Sequence, residues 1–75
     1  MDLNEFVTSF ADQFDETDPE EIQAETRFHD LDEWSSLMGR SVIALAKTEY
    51  GKTITGKELR ECVSVEDVFN LIASK

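Results

Sequence analysis

One cysteine, one proline, one histidine and three glycines stand in a chain of 75 residues. Cys62 alone closes no internal disulfide and offers no thiolate cluster for a metal. With Cys62 beside Val63, its expected part is that of a small core filler. Few prolines and glycines leave little room for long irregular stretches. No apolar run is long enough to span a bilayer. The start, Met1-Asp2-Leu3-Asn4-Glu5, lacks the basic region and apolar stretch of a secretory signal, so a cytoplasmic protein is expected. A chain this short buries roughly 60% of the surface it exposes when unfolded. That supports one domain over residues 1–75 and one small core, and it is too little for a deep catalytic cleft with its supporting shell.

Basic residues are also scarce, seven against seventeen acids, for a net charge of -10. The imbalance is lopsided. Residues 1–33 hold twelve acids and one arginine, whereas residues 34–75 hold five acids and six bases. A nucleic acid or an anionic membrane is repelled by the first part, and basic partner surfaces are attracted to it.

Against these absences stands 40% hydrophobic content, patterned for helices. Leu3, Phe6, Val7, Phe10, Ala11 and Phe14 recur at helical spacing and predict a first helix from about Leu3 to Asp15. Asp15 to Glu33 reads as a long ordered loop pinned by Ile22, Phe28 and Leu31. A second helix is predicted over Ser36–Tyr50, with Ser35 or Ser36 as its N-cap and Gly51 as its stop. Its buried face is Met38, Val42, Ile43, Leu45, Ala46 and Tyr50. Leu37, Arg40, Ser41, Ala44, Lys47 and Thr48 lie opposite, so Leu37 is a large apolar side chain on a face expected to be wet. Gly39 costs about 1 kcal/mol of helix propensity relative to alanine and loosens the first turn. Ile54 anchors the next connection. A short third helix over Gly56–Glu61 points Leu59 inward. Ser64 caps a fourth helix that ends near Ser74, with Val65, Val68, Phe69 and Ile72 on one face. The predicted fold is all-α: a small four-helix bundle, three longer helices plus one short one, with a long structured first loop.

Candidate chemistry is sparse. His29 with nearby serines invites a hydrolytic triad, but spacing alone fixes no geometry and the chain is too small for a pocket and oxyanion hole, so no enzyme is expected. Asp30-Leu31-Asp32-Glu33 lacks the turn glycine and the closing glutamate of a calcium loop, so no specific metal site is expected. Trp34 is expected to pack over the loop against Phe28. Ser36 has two readings: a helix cap, or a hydroxyl presented at a helix N-terminus whose unpaired N–H groups suit a phosphate.

Leu31-Asp32-Glu33-Trp34-Ser35-Ser36-Leu37, the long preceding loop, the helix ending Glu49-Tyr50-Gly51, and Ser64-Val65-Glu66-Asp67 before the last helix together resemble the acyl carrier proteins over essentially the whole chain. In that family an Asp-Ser-Leu motif opens the second helix and its serine receives a 4'-phosphopantetheine arm. The motif's serine and leucine correspond to Ser36 and Leu37, and Ser35 stands where aspartate is usual. The resemblance implies a stand-alone, monomeric carrier that catalyses nothing. A phosphopantetheinyl transferase loads Ser36, and the arm's thiol then holds acyl intermediates as thioesters for the enzymes of fatty-acid, polyketide or related biosynthesis. Leu37, Arg40, Ser41, Ala44 and Lys47 are the implied partner-binding face, with Arg40 also placed toward the arm's phosphate. Two alternatives stay open: an aminoacyl or peptidyl carrier, and a carrier-like interaction module that is never loaded. Many members of the family have a strongly acidic second helix. Arg40 and Lys47 depart from that and imply a dedicated partner set.

Self-repulsion in the acidic part opposes folding and is screened by ions. The melting temperature is therefore expected to rise from low to moderate ionic strength, or on adding a divalent cation. A melting point indifferent to salt contradicts this.

Overall fold

The computed structural model describes residues 2–75. It holds four α-helices: α1 Leu3–Ala11, α2 Ser36–Tyr50, α3 Gly56–Glu61 and α4 Val65–Ala73. Two short 3-10 turns, Pro19–Glu21 and Phe28–Asp30, punctuate the long loop. No strand occurs among the described residues. α1 packs against α4 and α2, and α2 against α3. The result is a small helical bundle of 29 × 24 × 20 Å.

Each helix starts where a short polar side chain accepts a backbone N–H that the helix itself leaves unpaired. Asp2 does this for α1, Ser35 for α2, Thr55 for α3 and Ser64 for α4. Thr55 with Glu58 and Ser64 with Asp67 form reciprocal capping boxes. Gly51 closes α2 at φ 66°, a left-handed conformation that glycine adopts without the Cβ clash of other residues. The core draws on all four α-helices, α3 through Leu59, and on the connections between them. Phe6, Phe10, Phe28, Val42, Ala46, Val65, Val68 and Ile72 are fully buried, with Ile22 and Ile54 almost so.

α1 is shorter than its apolar spacing predicts. It ends at Ala11, and the chain tightens into i→i+3 bonds, Gln13 N to Phe10 O and Phe14 N to Ala11 O. The Gln13 side chain donates to the Ser9 carbonyl at 3.1 Å, meeting one of the helix's last free acceptors. Phe14 is still buried, because the tighter turn carries it to the same core face. The other three helices keep the predicted ranges, α4 stopping at Ala73 with Ser74 as its C-cap. Cys62 is half-buried against the core, and burial raises its thiol pKa.

The loop between Asp15 and Glu33 is held at several places. Ile22 and Phe28 enter the core. The Ala24 and Thr26 carbonyls accept the first N–H groups of α4, from Glu66 at 2.8 Å and Val65 at 3.1 Å. The Glu33 carboxylate closes the loop on its own beginning, accepting from Asp15 N at 2.9 Å, Glu16 N at 3.1 Å and Thr17 Oγ1 at 2.7 Å. These bonds favour the ionised form, so the Glu33 pKa lies below its ordinary value, the Thr17 hydroxyl being the largest cause.

A carboxylate with a depressed folded pKa adds stability that is present above its unfolded pKa and fades as pH falls through the folded value. Glu58 and Asp67, also depressed, act in the same direction. Glu33→Gln is thus expected to lower the melting temperature at neutral pH and to soften the acid loss of stability below about pH 4.5, the ordinary glutamate value. Thermal melts across that range check it. An unchanged acid limb contradicts the clamp.

Candidate functional site

Two serines stand at the mouth of α2, and the structure gives them different work. Ser35 has extended backbone, φ -157° and ψ 176°, and its Oγ accepts the Met38 N–H at 3.3 Å. Its carbonyl accepts the Gly39 N–H at 3.0 Å. Ser35 is therefore the cap. Ser36 is the first helical residue, exposed, and its hydroxyl makes no hydrogen bond among the described residues. The cap reading of Ser36 falls away, leaving a free hydroxyl where helical N–H groups begin.

The position of this turn is set from below by aromatic packing. Trp34 meets the Phe28 ring edge-on at 4.7 Å, lies parallel to Phe10 at 6.5 Å and packs on Phe14 at 6.3 Å. The expected Trp34–Phe28 contact is thus part of a larger aromatic cluster spanning α1 and the loop. With Glu33 in its clamp and Trp34 in this cluster, both residues preceding Ser35 are fixed. Sequence reading missed the clamp, since its partners lie 16 to 18 positions away and nothing local marks them.

Beside Ser36 opens a groove of about 560 Å³ between α2 and α3. Trp34, Ile43 and Leu59 give it an apolar floor, and His29, Arg40 and Arg60 supply polar walls. Gly39 lies on the floor. A Cβ there would stand 3.6 Å from Leu59 Cδ2 and 3.8 Å from Trp34 Cζ2, so the site accepts alanine at ordinary contact distances. His29 Nε2 is engaged with the Cys62 carbonyl at 3.0 Å, which ties the loop to the α3–α4 junction.

Leu37 is 71% exposed, the most exposed large hydrophobic side chain among the described residues. Arg40, Ala44 and Lys47 are exposed on the same helix. Ser41 is half-buried and its hydroxyl turns back to the Leu37 carbonyl at 3.3 Å, so it is less open to a partner than its neighbours. Ser36, Arg40 and the apolar floor thus converge on one groove, while Leu37 and Ala44 face solvent. Arg60 was not singled out in the sequence; only the packing of α3 on α2 brings it to the groove.

A groove with apolar floor, two guanidinium groups and an unbonded hydroxyl at its edge suits a phosphodiester joined to a slender, partly apolar arm. No group of three or more side chains suited to a metal ion is found among the described residues. No described helix is long and apolar enough to cross a membrane. Comparison with known proteins finds no matching family model, curated protein or solved structure.

The division between the serines has a thermodynamic consequence. Ser35→Ala removes the cap and is expected to cost about 1 kcal/mol. Ser36→Ala removes no bond and is expected to change stability by less than about 0.5 kcal/mol. Urea unfolding of the two variants measures both. Equal losses, or a larger loss at Ser36, contradict the assignment.

Proposed function

We propose that the chain is a carrier protein that receives 4'-phosphopantetheine on the Ser36 hydroxyl and conveys acyl intermediates between enzymes of fatty-acid, polyketide or related biosynthesis. The observation that carries the reading is the exposed, unbonded Ser36 hydroxyl at the mouth of α2, followed by a leucine left 71% exposed. A hydroxyl engaged in capping is less available to react. Here Ser35 has taken that task.

In the loading step, Ser36 Oγ forms a bond to the pantetheine-bearing phosphorus of coenzyme A. The pyrophosphate bond breaks, adenosine 3',5'-bisphosphate leaves, and the hydroxyl proton passes to a base of the transferase. The chain contributes the nucleophilic oxygen and its position, and the transferase supplies the remaining groups. When attached, the arm supplies a thiol that holds an acyl group as a thioester. Arg40 sits one helical turn beyond Ser36, where a guanidinium can neutralise the new phosphodiester. The anchored loop and the capped helix give the attachment point a fixed base, so the cargo is delivered at a raised local concentration. A lone, half-buried cysteine fits a reducing cytoplasmic setting.

Incubation of the apo-protein with coenzyme A and a broad-specificity phosphopantetheinyl transferase, followed by intact mass, tests the reading. Wild type and Ser35→Ala are expected to gain one arm, and Ser36→Ala none. No addition with any transferase, including that of the source organism, overturns it in favour of an unloaded interaction module. An aminoacyl cargo on protein from its native host moves the assignment to a peptidyl carrier.

A further inference from the structure

Seven lysines and arginines serve this chain, and three are occupied within the fold. Lys75 pairs with Glu58 at 2.8 Å, Lys52 donates to the Lys75 carbonyl at 2.8 Å, and Arg27 lies 3.8 Å from Asp30. The other four, Arg40, Lys47, Lys57 and Arg60, are exposed and in no ion pair among the described residues. All four lie on α2 and α3, the helices that flank the Ser36 groove.

The acids on these two helices are few and largely turned aside. Glu49 borders a separate depression with Glu5 and Tyr50, toward α1. Glu58 is held by Lys75. Glu61, the last residue of α3, is the one remaining exposed acid. No carboxylate lines the groove itself, although acids outnumber bases by seventeen to seven in the chain. Twelve of those acids lie in residues 1–33, and Glu16, Glu21, Asp30, Asp32 and Glu33 line a depression of their own. The charge of the molecule is therefore uneven, and two of its unpaired cations, Arg40 and Arg60, line the groove beside the hydroxyl that the carrier reading uses.

We infer that the α2–α3 face docks on a partner protein whose own surface is acidic, with an apolar recess for Leu37. This deepens the carrier reading, and rests on it for the partner's being a cargo-handling enzyme. Like-signed surfaces repel at the range of an encounter, so basic enzyme surfaces are turned away from the cations of α2 and α3 and drawn to the acidic loop instead. An acidic surface is drawn to the face that carries Ser36, and the attraction orients the hydroxyl toward it before contact. Leu37 then supplies the apolar contact that slows release.

The test uses the full chain, labelled with nitrogen-15, and two synthetic peptides matched in length: one alternating Glu with Leu, one alternating Lys with Leu. At low salt the acidic peptide is expected to shift amide signals of α2 and α3, and the basic peptide those of the long loop. Arg40→Glu with Arg60→Glu is expected to weaken acidic-peptide binding about tenfold or more. Lys47→Glu with Lys57→Glu, on different turns, gives the same direction should the first pair disturb the fold. The inference is overturned if the acidic peptide leaves α2 and α3 unshifted, if the basic peptide prefers them, or if both charge-reversed variants bind as wild type does. It is also overturned if an oligonucleotide of equal charge binds more tightly than the peptide, or if the chain self-associates at low salt through this face. Failure of Ser36 to load, with peptide binding intact, sinks the carrier reading and leaves the docking surface standing. Loading with no acidic preference does the reverse.

Discussion

A helix begins with backbone N–H groups that its own hydrogen bonds leave unpaired, and something has to accept them. At the mouth of α2 that acceptor is the Ser35 hydroxyl, directed at Met38 N. The functional reading depends on this one bond. Had Ser36 supplied the cap, its oxygen would be committed to the backbone and the helix would begin one residue later. Because Ser35 supplies it, Ser36 falls on the first helical turn with its hydroxyl free, and Leu37 follows on the outward face.

That cap holds its place because the chain before it is anchored twice. Glu33 fastens the end of the long loop to its start through three donors, and Trp34 is set among Phe10, Phe14 and Phe28. Earlier in the same loop, the Ala24 and Thr26 carbonyls accept from the N-terminus of α4. The loop is therefore a structural element, joining α1, α2 and α4 without being a helix. Each anchor is modest alone, since a net hydrogen bond contributes about 1 kcal/mol. Together they fix Ser36 relative to the groove.

Much of this was legible in the sequence because it is local. Three of the four helices were bounded by patterns within their own residues: Gly51 as a stop, Ser64 three residues ahead of Asp67, and a short amphipathic run around Leu59. The exposure of Leu37 followed from helical periodicity alone. What escaped is what joins distant segments. The end of α1 was overestimated because Phe14 keeps the apolar register while its backbone leaves the helix. The Glu33 clamp has no local signal. The choice between Ser35 and Ser36 as cap turned on backbone angles that neither residue type dictates. Arg60 reaches the groove only through the packing of α3 on α2.

The most direct test of the central claim is peptide-level mass spectrometry of protein taken from its native host, with fragmentation between the two adjacent serines. The account predicts the phosphopantetheine mass on the fragments that contain Ser36 and on none that end at Ser35. An arm on Ser35, or a peptide that is always bare, would contradict it.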